Sequence, residues 1–377
     1  MGTAKLGLIA VSGVRIYNER LIRLGVTLPG FVERARVIAS MPSLGLLTLA
    51  AVTPDDFDVT YLEAPDFDPA PLGAHDFDIV GISSFTAKAD VMYAIADFYR
   101  ARGTTVVLGG LHCTLLPEEA AAHADAVVVG EGELLWPKLL ADWRRGALRP
   151  VYRNASFRDV DLARAPIPRY DLLDISRYNR MPVQTSRGCP LDCEFCAASK
   201  IFGGYKRKPV ENVTRELRAV KAIVDHPFIE LADDNTFVDK RWSRELVRAI
   251  AEMEVHWFTE TDVSVADDDE LLDLLGASGC RQVLIGFESP SARSLEGIEA
   301  HDWKARRHGG YRRAIDAIQR RGVTVNGCFI LGLDHDTPDT FHEIERFVKE
   351  SGLMEVQVTV LTPFPGTALY RRLRAEG

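Results

Sequence analysis

Apolar positions in the first 145 residues gather into short runs separated by longer amphipathic stretches. Leu6–Val11 (LGLIAV), Asp58–Leu62, Ile79–Ser83, Thr105–Leu108 and Ala126–Val129 are mostly β-branched and too short for helices. Several run apolar without polar alternation, the pattern of strands buried on both faces. Ala87–Arg102 and Pro117–His123 carry helical spacing between them. Strands alternating with helices predict a parallel sheet, whose ligands bind beyond the carboxyl ends of the strands. Ser83, Ser84, Gly109 and Gly110 fall at those ends.

Prolines and charges break the pattern over residues 146–182, where Pro150, Pro166, Pro168 and Pro182 suggest a surface linker. A second alternating series follows. Strands are predicted at 183–185, 228–231, 256–259, 282–285, 324–330 and 355–360. Helices are predicted at 210–224, 242–253, 268–277, 303–320 and 338–350. The expected organisation is an α/β chain in three parts. Residues 1–145 form a doubly wound, flavodoxin- or Rossmann-like sheet, 146–182 a linker, and 183–377 a partial (β/α)6 barrel of TIM type.

The longest apolar run, Leu44–Val52, falls far short of the roughly 20 residues that a membrane span needs. The start, MGTAKLGLIA, lacks the stages of a secretory signal, so a cytoplasmic protein is expected. Lys and Arg total 45 against 54 Asp and Glu, a net charge of −9. Residues 1–150 hold 13 basic and 18 acidic side chains, and the remainder 32 and 36. Neither part is basic, which argues against extended binding to nucleic-acid phosphates.

Cysteine placement narrows the chemistry further. Cys113, Cys280 and Cys328 stand singly, whereas Cys189, Cys193 and Cys196 fall in one short segment, TSRGCPLDCEFC, just after the first strand of the second series. Such clustering in a cytosolic chain argues for metal rather than disulfides. Three thiolates spaced C-x3-C-x2-C can wrap one iron–sulfur cube and leave one iron without a protein ligand. The alternatives fit less well. Structural zinc prefers four ligands, and His226 and His256 are distant in sequence. An electron-transfer cluster wants a fourth cysteine.

On these residues the segment resembles the radical S-adenosylmethionine (SAM) enzymes. The resemblance implies a 4Fe-4S cluster held by Cys189, Cys193 and Cys196, with SAM chelating the open iron and cleaved to a 5′-deoxyadenosyl radical. It implies an aromatic residue near the adenine, here Phe195. Leu231–Asn235 (LADDN) matches the family's polar motif for the methionine amino group, and Asp233 and Asp234 suit an ammonium; a helix N-cap is the alternative for either. Ile285–Ser289 (IGFES) resembles the family's G-x-E-S segment, which implies that Glu288 and Ser289 meet the ribose and methionyl part of SAM. Asn326–Gly332 and Leu361–Thr367 complete the pattern. Glu260 and Asp262 end the third strand, where a proton-relay or substrate role competes with a solvated strand end.

The N-terminal part, through Pro42–Ala50, Val80–Ser84 and Gly109–Thr114, resembles the cobalamin-binding subgroup of that superfamily. Ser83, Ser84, Gly109 and Gly110 are then the residues expected at cobalamin. The D-x-H-x-x-G segment that supplies an axial histidine is replaced by Val11-Ser-Gly-Val-Arg-Ile-Tyr17. Binding without that ligand and a domain that serves only as scaffold both stay open. His112 is expected to cap or pack its loop. The leading activity implied is cobalamin-dependent methylation of an unactivated carbon of a small molecule, with a flavodoxin or ferredoxin as electron donor. Radical cyclisation, dehydration or rearrangement is the competing enzyme reading, and a non-catalytic iron–sulfur carrier or sensor is the reading from another class.

Overall fold

The computed structural model describes residues 2–11, 41–156, 158–198 and 204–377. The chain divides into two compact units, the second beginning at Val183. The first is built on β1 (Ala4–Val11), β2 (Phe57–Glu63), β3 (Ile79–Ser84), β4 (Thr105–Gly109), β5 (Ala126–Val129) and β6 (Val151–Arg153). These pair in parallel in the order β2-β1-β3-β4-β5-β6. This is the doubly wound sheet expected from the alternation.

Strand residues alternate between two cores, one on each face. Ile9, Val80, Ile82, Val106 and Leu108 pack with Met92, Ile95 and Tyr99 of the helix Ala89–Ala101. Leu6, Leu8, Ile79, Val107 and Val128 pack with Leu46, Ala50, Trp136, Leu139 and Leu140. Because both faces are covered, the strands lack polar alternation. Order reverses at β1, so the ends of β1 and β3 flank a topological switch point, the usual ligand crevice of such sheets.

Part of the expected linker joins this sheet. Val151–Arg153 adds a sixth strand beside β5. Tyr152 is buried in the second core, and its hydroxyl donates to Asp142 Oδ2 at 2.9 Å. Asp142 also receives Arg145 and Arg149, at 2.5 and 3.2 Å. A three-residue strand flanked by Arg149, Pro150 and Arg153 has too little apolar length to register as a strand in sequence.

The second unit contains β7 (Met181–Val183), β8 (Ser186–Arg187), β9 (Lys206–Arg207), β10 (Phe228–Leu231), β11 (His256–Thr261), β12 (Cys280–Glu288), β13 (Thr324–Leu331) and β14 (Glu355–Val360). Six of them form one sheet in simple succession, β7-β10-β11-β12-β13-β14. Helices intervene at Val210–Lys221, Lys240–Ala251, Asp269–Ala277, Tyr311–Gln319 and Thr340–Ser351. This is the expected open (β/α)6 arrangement. The first strand starts two residues earlier than its apolar run suggested. Pro182 fits there because β7 ends the sheet, where a strand can lack one ladder donor. The helix expected at 303–320 is divided into Trp303–Arg307, a 3-10 turn at His308–Gly310, and Tyr311–Gln319, as two consecutive glycines disfavour continuous helix.

Side-chain alternation separates the two faces of this sheet. Val283, Ile285, Phe287, Val325 and Phe329 are fully buried, and Phe287 packs on Tyr311 and Phe329 at ring distances of 4.7 and 6.0 Å. The opposite positions face the barrel interior and include Glu230, Glu260, Leu284, Asn326, Cys328 and Gln357. Register places Glu260, Leu284 and Asn326 at one level, with Gly286, Cys328 and Gln357 at the next.

Tyr152→Ala should cost about 3 kcal/mol of first-unit stability, as for other large core aromatics. Val151→Ala, on the exposed side of the same strand, should stay within about 0.5 kcal/mol. Denaturant unfolding measures both, and two equally small effects would return residues 151–153 to the linker.

Candidate functional site

The cysteine segment leaves the barrel at the carboxyl end of β7. Ser186 and Arg187 pair antiparallel with Arg207 and Lys206, so β8 and β9 close the base of the loop. Asp233, at the end of β10, fastens that base. Its Oδ1 accepts from the backbone N–H groups of Thr185 and Ser186 at 2.7 and 2.8 Å. Its Oδ2 accepts from the hydroxyls of Thr185 and Thr236, the latter at 2.9 Å. Asp233 is buried with both oxygens engaged. Asp234 Oδ2 accepts from Gly188 N at 2.7 Å, and Gly188 takes a φ of 83° that favours glycine. Burial raises the pKa of both carboxyls.

Neither aspartate caps the following helix. That role belongs to Asp239, whose Oδ1 accepts from Trp242 N at 3.1 Å. Asp233 braces the loop, and Asp234, only partly buried, stands at the first cysteine.

Asn235 Nδ2 lies 3.6 Å from Cys189 Sγ and donates to Asp262 Oδ2 at 2.7 Å. Glu194 N donates to Ile298 O at 2.8 Å, and Glu194 O accepts from Leu369 N at 2.9 Å. The Glu194 carboxylate meets the Arg372 guanidinium in two contacts, 2.7 and 3.1 Å. The C-terminal helix Ala368–Glu376 therefore clamps the loop beside Cys193. Phe195 lies half-buried between the second and third cysteines.

All three cysteines are free thiols. Burial raises Cys189 and pushes Cys193 up to about 12. Cys189 and Cys193 stay protonated near neutral pH unless a cationic group displaces the protons. Among the described residues no three His, Cys, Asp or Glu side chains are arranged to hold a single metal ion. A cluster whose thiolates sit on separate irons asks for a wider set, and Cys189, Cys193 and Cys196 lie within electrostatic reach of one another.

Glu288 faces this loop. The β12–β13 register shifts between Gly286 and Glu288, and Glu288 takes a left-handed φ of 62°. The bulge turns its carboxylate inward, onto Lys304. Lys304 Nζ donates to Glu288 Oε1 and Gly286 O, both at 2.7 Å, and both side chains are buried. Glu288, with the thiolate form of Cys193 nearby, holds the Lys304 pKa above its usual value despite burial. Ser289 is fully buried and its Oγ accepts from Ser291 N at 3.1 Å, so it shapes the turn beneath Glu288.

At the carboxyl edge of the first unit, Ser83, Gly109 and Gly110 remain partly exposed. Ser84 turns inward, its hydroxyl donating to Val11 O and Phe85 O at 3.3 and 3.0 Å. Gly110 has a φ of 92°, and a Cβ there would lie 2.5 Å from Ser83 Oγ. Its need for glycine is met inside the protein. A Cβ at Gly109 would meet only ordinary contacts, the nearest 3.6 Å away. His112 is buried, with Tyr93, Glu119 and Thr86 around its ring. The segment Ser12–Tyr17, where the D-x-H-x-x-G pattern is missing, lies outside the described residues.

Residues 183–348 match the family model of the radical SAM superfamily, and residues 34–140 match that of the B12 binding domain. The bacteriochlorophyllide d C-8(2)-methyltransferase of Chlorobaculum tepidum is 30% identical over 350 residues, covering 89% of this chain and 76% of that protein. This chain belongs to the radical SAM superfamily. The C-12(1)-methyltransferase of the same organism is 28% identical over 341 residues, covering 89% of this chain and 74% of that protein. The fold matches that of the radical SAM methyltransferase TsrM from Kitasatospora setae, solved with cobalamin and a 4Fe-4S cluster bound. Its TM-score is 0.78 at 16% identity, over 100% of this chain and 75% of that one. The protein is thus a radical SAM enzyme with a B12-binding domain. No helix among the described residues is long and apolar enough to cross a membrane.

Sequence reasoning missed Lys304, Asn235 and Arg372. Asn235 was within reach, since it closes the LADDN motif. Lys304 and Arg372 carry no local signal, because they reach Glu288 and Glu194 only through the fold.

Asp233→Asn should cost about 1–3 kcal/mol, since an amide NH2 would face donors that the carboxylate now satisfies. Asp234→Asn keeps an acceptor for Gly188 and should stay within about 0.5 kcal/mol. Unfolding of the metal-free proteins measures the difference, and equal costs would remove Asp233 from its bracing role.

Proposed function

We propose that this protein is a cobalamin-dependent radical SAM methyltransferase that methylates an unactivated carbon of a small molecule. The observation that carries the reading is the braced three-cysteine loop at the end of β7, in a chain that also holds a B12-binding domain. Both Chlorobaculum relatives are methyltransferases, which supports the same reaction class. When bound, the cluster with SAM supplies a 5′-deoxyadenosyl radical, and cobalamin supplies the methyl group.

The chain's own residues bind and orient. Cys189, Cys193 and Cys196 hold the cluster. Asp234 accepts from the SAM ammonium through its second oxygen. Glu288 offers Oε2 to the ribose or methionyl part, while Lys304 holds the other oxygen. Phe195 lies against the adenine. Asp233 and Ser289 act by position, fixing the backbone beneath these groups. In the first unit, Ser83 and Gly109 meet cobalamin, and Gly110 and Ser84 shape the edge. An electron donor such as a flavodoxin or ferredoxin would supply the electron that the cluster needs. Six free cysteines suit a reducing cytoplasm.

Cys193→Ala should lose iron loading and SAM cleavage together, whereas Cys113→Ala should keep both. Glu288→Gln should weaken SAM binding by about ten- to a hundredfold at unchanged iron content, the loss of one charge-assisted hydrogen bond; an unaltered calorimetric titration would remove Glu288 from the site.

The reaction class is tested on the reconstituted, reduced protein with SAM. S-adenosylhomocysteine should form when cobalamin is present and stop when it is omitted. Deoxyadenosine formation indifferent to cobalamin would overturn methyl transfer in favour of cyclisation, dehydration or rearrangement. Gly109→Val should block cobalamin uptake, followed by its absorbance, without the backbone conflict that a side chain at Gly110 creates.

A further inference from the structure

The interior of the barrel carries polar groups that neither the cysteine loop nor the Glu288–Lys304 pair uses. Glu260 projects from β11 into the interior, one level below Gly286 and Cys328. Two residues along a strand span about 7 Å, so this level forms a floor beneath the reaction centre. Among the described residues the Glu260 carboxyl has no side-chain hydrogen bond, although the side chain is exposed to the open interior.

Asn326, two strands away at the same level, is 6% exposed. Its Oδ1 is buried without a hydrogen-bond partner. Its direction follows from alternation: a Cβ at the neighbouring Gly327 would strike Leu353 and Phe287 on the helix side, so Asn326 points to the interior. A buried carbonyl oxygen left unpaired costs about 1–3 kcal/mol, a loss that a ligand donor would recover.

Leu284 lies between Glu260 and Asn326 in the register and offers an apolar surface. Cys328 stands above them, with Glu260 and Glu288 both within electrostatic reach, and Gln357 Oε1 lies 3.6 Å from its thiol. The floor is thus rich in acceptors. Lys304, the cation near Cys328, is already committed to Glu288 and Gly286.

We infer that the barrel floor, through Glu260 and Asn326, binds the cationic, N–H-donating end of the substrate, an amine or amidine carried on an apolar frame. Leu284 contacts that frame, and the far end of the molecule is thereby presented to the reaction centre. The inference rests on the proposed function only in taking the barrel interior as the substrate's place.

The electrostatics agree. Crowding by the barrel walls, which thins the water around the carboxyl although the open interior still reaches the side chain, then the neighbouring Glu230, Asp234 and Asp233, push Glu260 up to about 7. Among the described residues, these acids and Cys328 are the titratable groups with an electrostatic effect on it. A bound cation favours the ionised form. Amine affinity should therefore rise as pH rises from 6 to 8, with protons released on binding below pH 7.

Benzylamine and its neutral counterpart benzyl alcohol serve as probes. Saturation-transfer NMR is run on the whole 377-residue chain, cluster-loaded with SAM bound and iron content verified, and no turnover is required. Wild-type protein should bind benzylamine and not benzyl alcohol, more tightly at pH 8 than at pH 6. Glu260→Gln and Asn326→Leu should each weaken it by about tenfold or more, the loss of one hydrogen bond to a charged group. Glu260→Gln should be at least as heat-stable as wild type at pH 8, because the ionised form of Glu260 is disfavoured in the fold. Equal binding of the two probes, or unchanged benzylamine binding in both variants, overturns the inference. Absence of methyl transfer in the separate turnover assay bears on the proposed function alone.

Discussion

The second unit depends on the burial of one carboxylate, Asp233. A charged group removed from water is costly unless its lone pairs are filled, and a half-satisfied one is costlier than none. Here four donors converge on it, two of them backbone N–H groups at the start of the cysteine segment. The same bonds that satisfy the acid fix the chain where it leaves β7. Asp234 extends the brace by one step to Gly188, and Asn235 extends it to Cys189. Three consecutive side chains from the end of β10 thus set the position of the first thiol.

The far side of the loop is held by different means. Glu194 is clamped by Arg372 and by backbone bonds to Ile298 and Leu369, so elements remote in sequence meet beside Cys193. The Glu288–Lys304 pair faces it from β12. A buried ion pair gains little stability in itself, because desolvation offsets most of the attraction. Its use here is orientation. The bulge at Phe287 and the left-handed backbone at Glu288 turn the carboxylate inward, and Lys304 Nζ holds it there.

In the first unit the two edge glycines do different things. Gly110 is required by its own backbone and by Ser83, whereas a Cβ at Gly109 would meet only Val128, at 3.6 Å. Both sit beside the β1–β3 reversal, where the sheet's strand order opens a crevice. Ser84, adjacent to Ser83, is spent on closing the ends of β1 and β3. Adjacent residues on a strand point to opposite faces, so one serine can be open to a ligand while the next is structural.

Sequence by itself determined the two alternating series, the doubly wound sheet, the open six-strand barrel and the clustering of Cys189, Cys193 and Cys196 in one loop. These rest on local periodicity and short spacing, which the chain states directly. Tertiary structure decided the rest. It moved Val151–Arg153 from linker to sheet, because a three-residue edge strand is stabilised by its neighbour and by Tyr152 rather than by its own pattern. It gave Asp233 four donors and left the cap to Asp239, since which acid is buried depends on strand register. It also brought Lys304 to Glu288 and Arg372 to Glu194, and set Glu260 level with Asn326 across Leu284. Such pairings join residues far apart in the chain, and only the folded sheet fixes their distance, burial and charge.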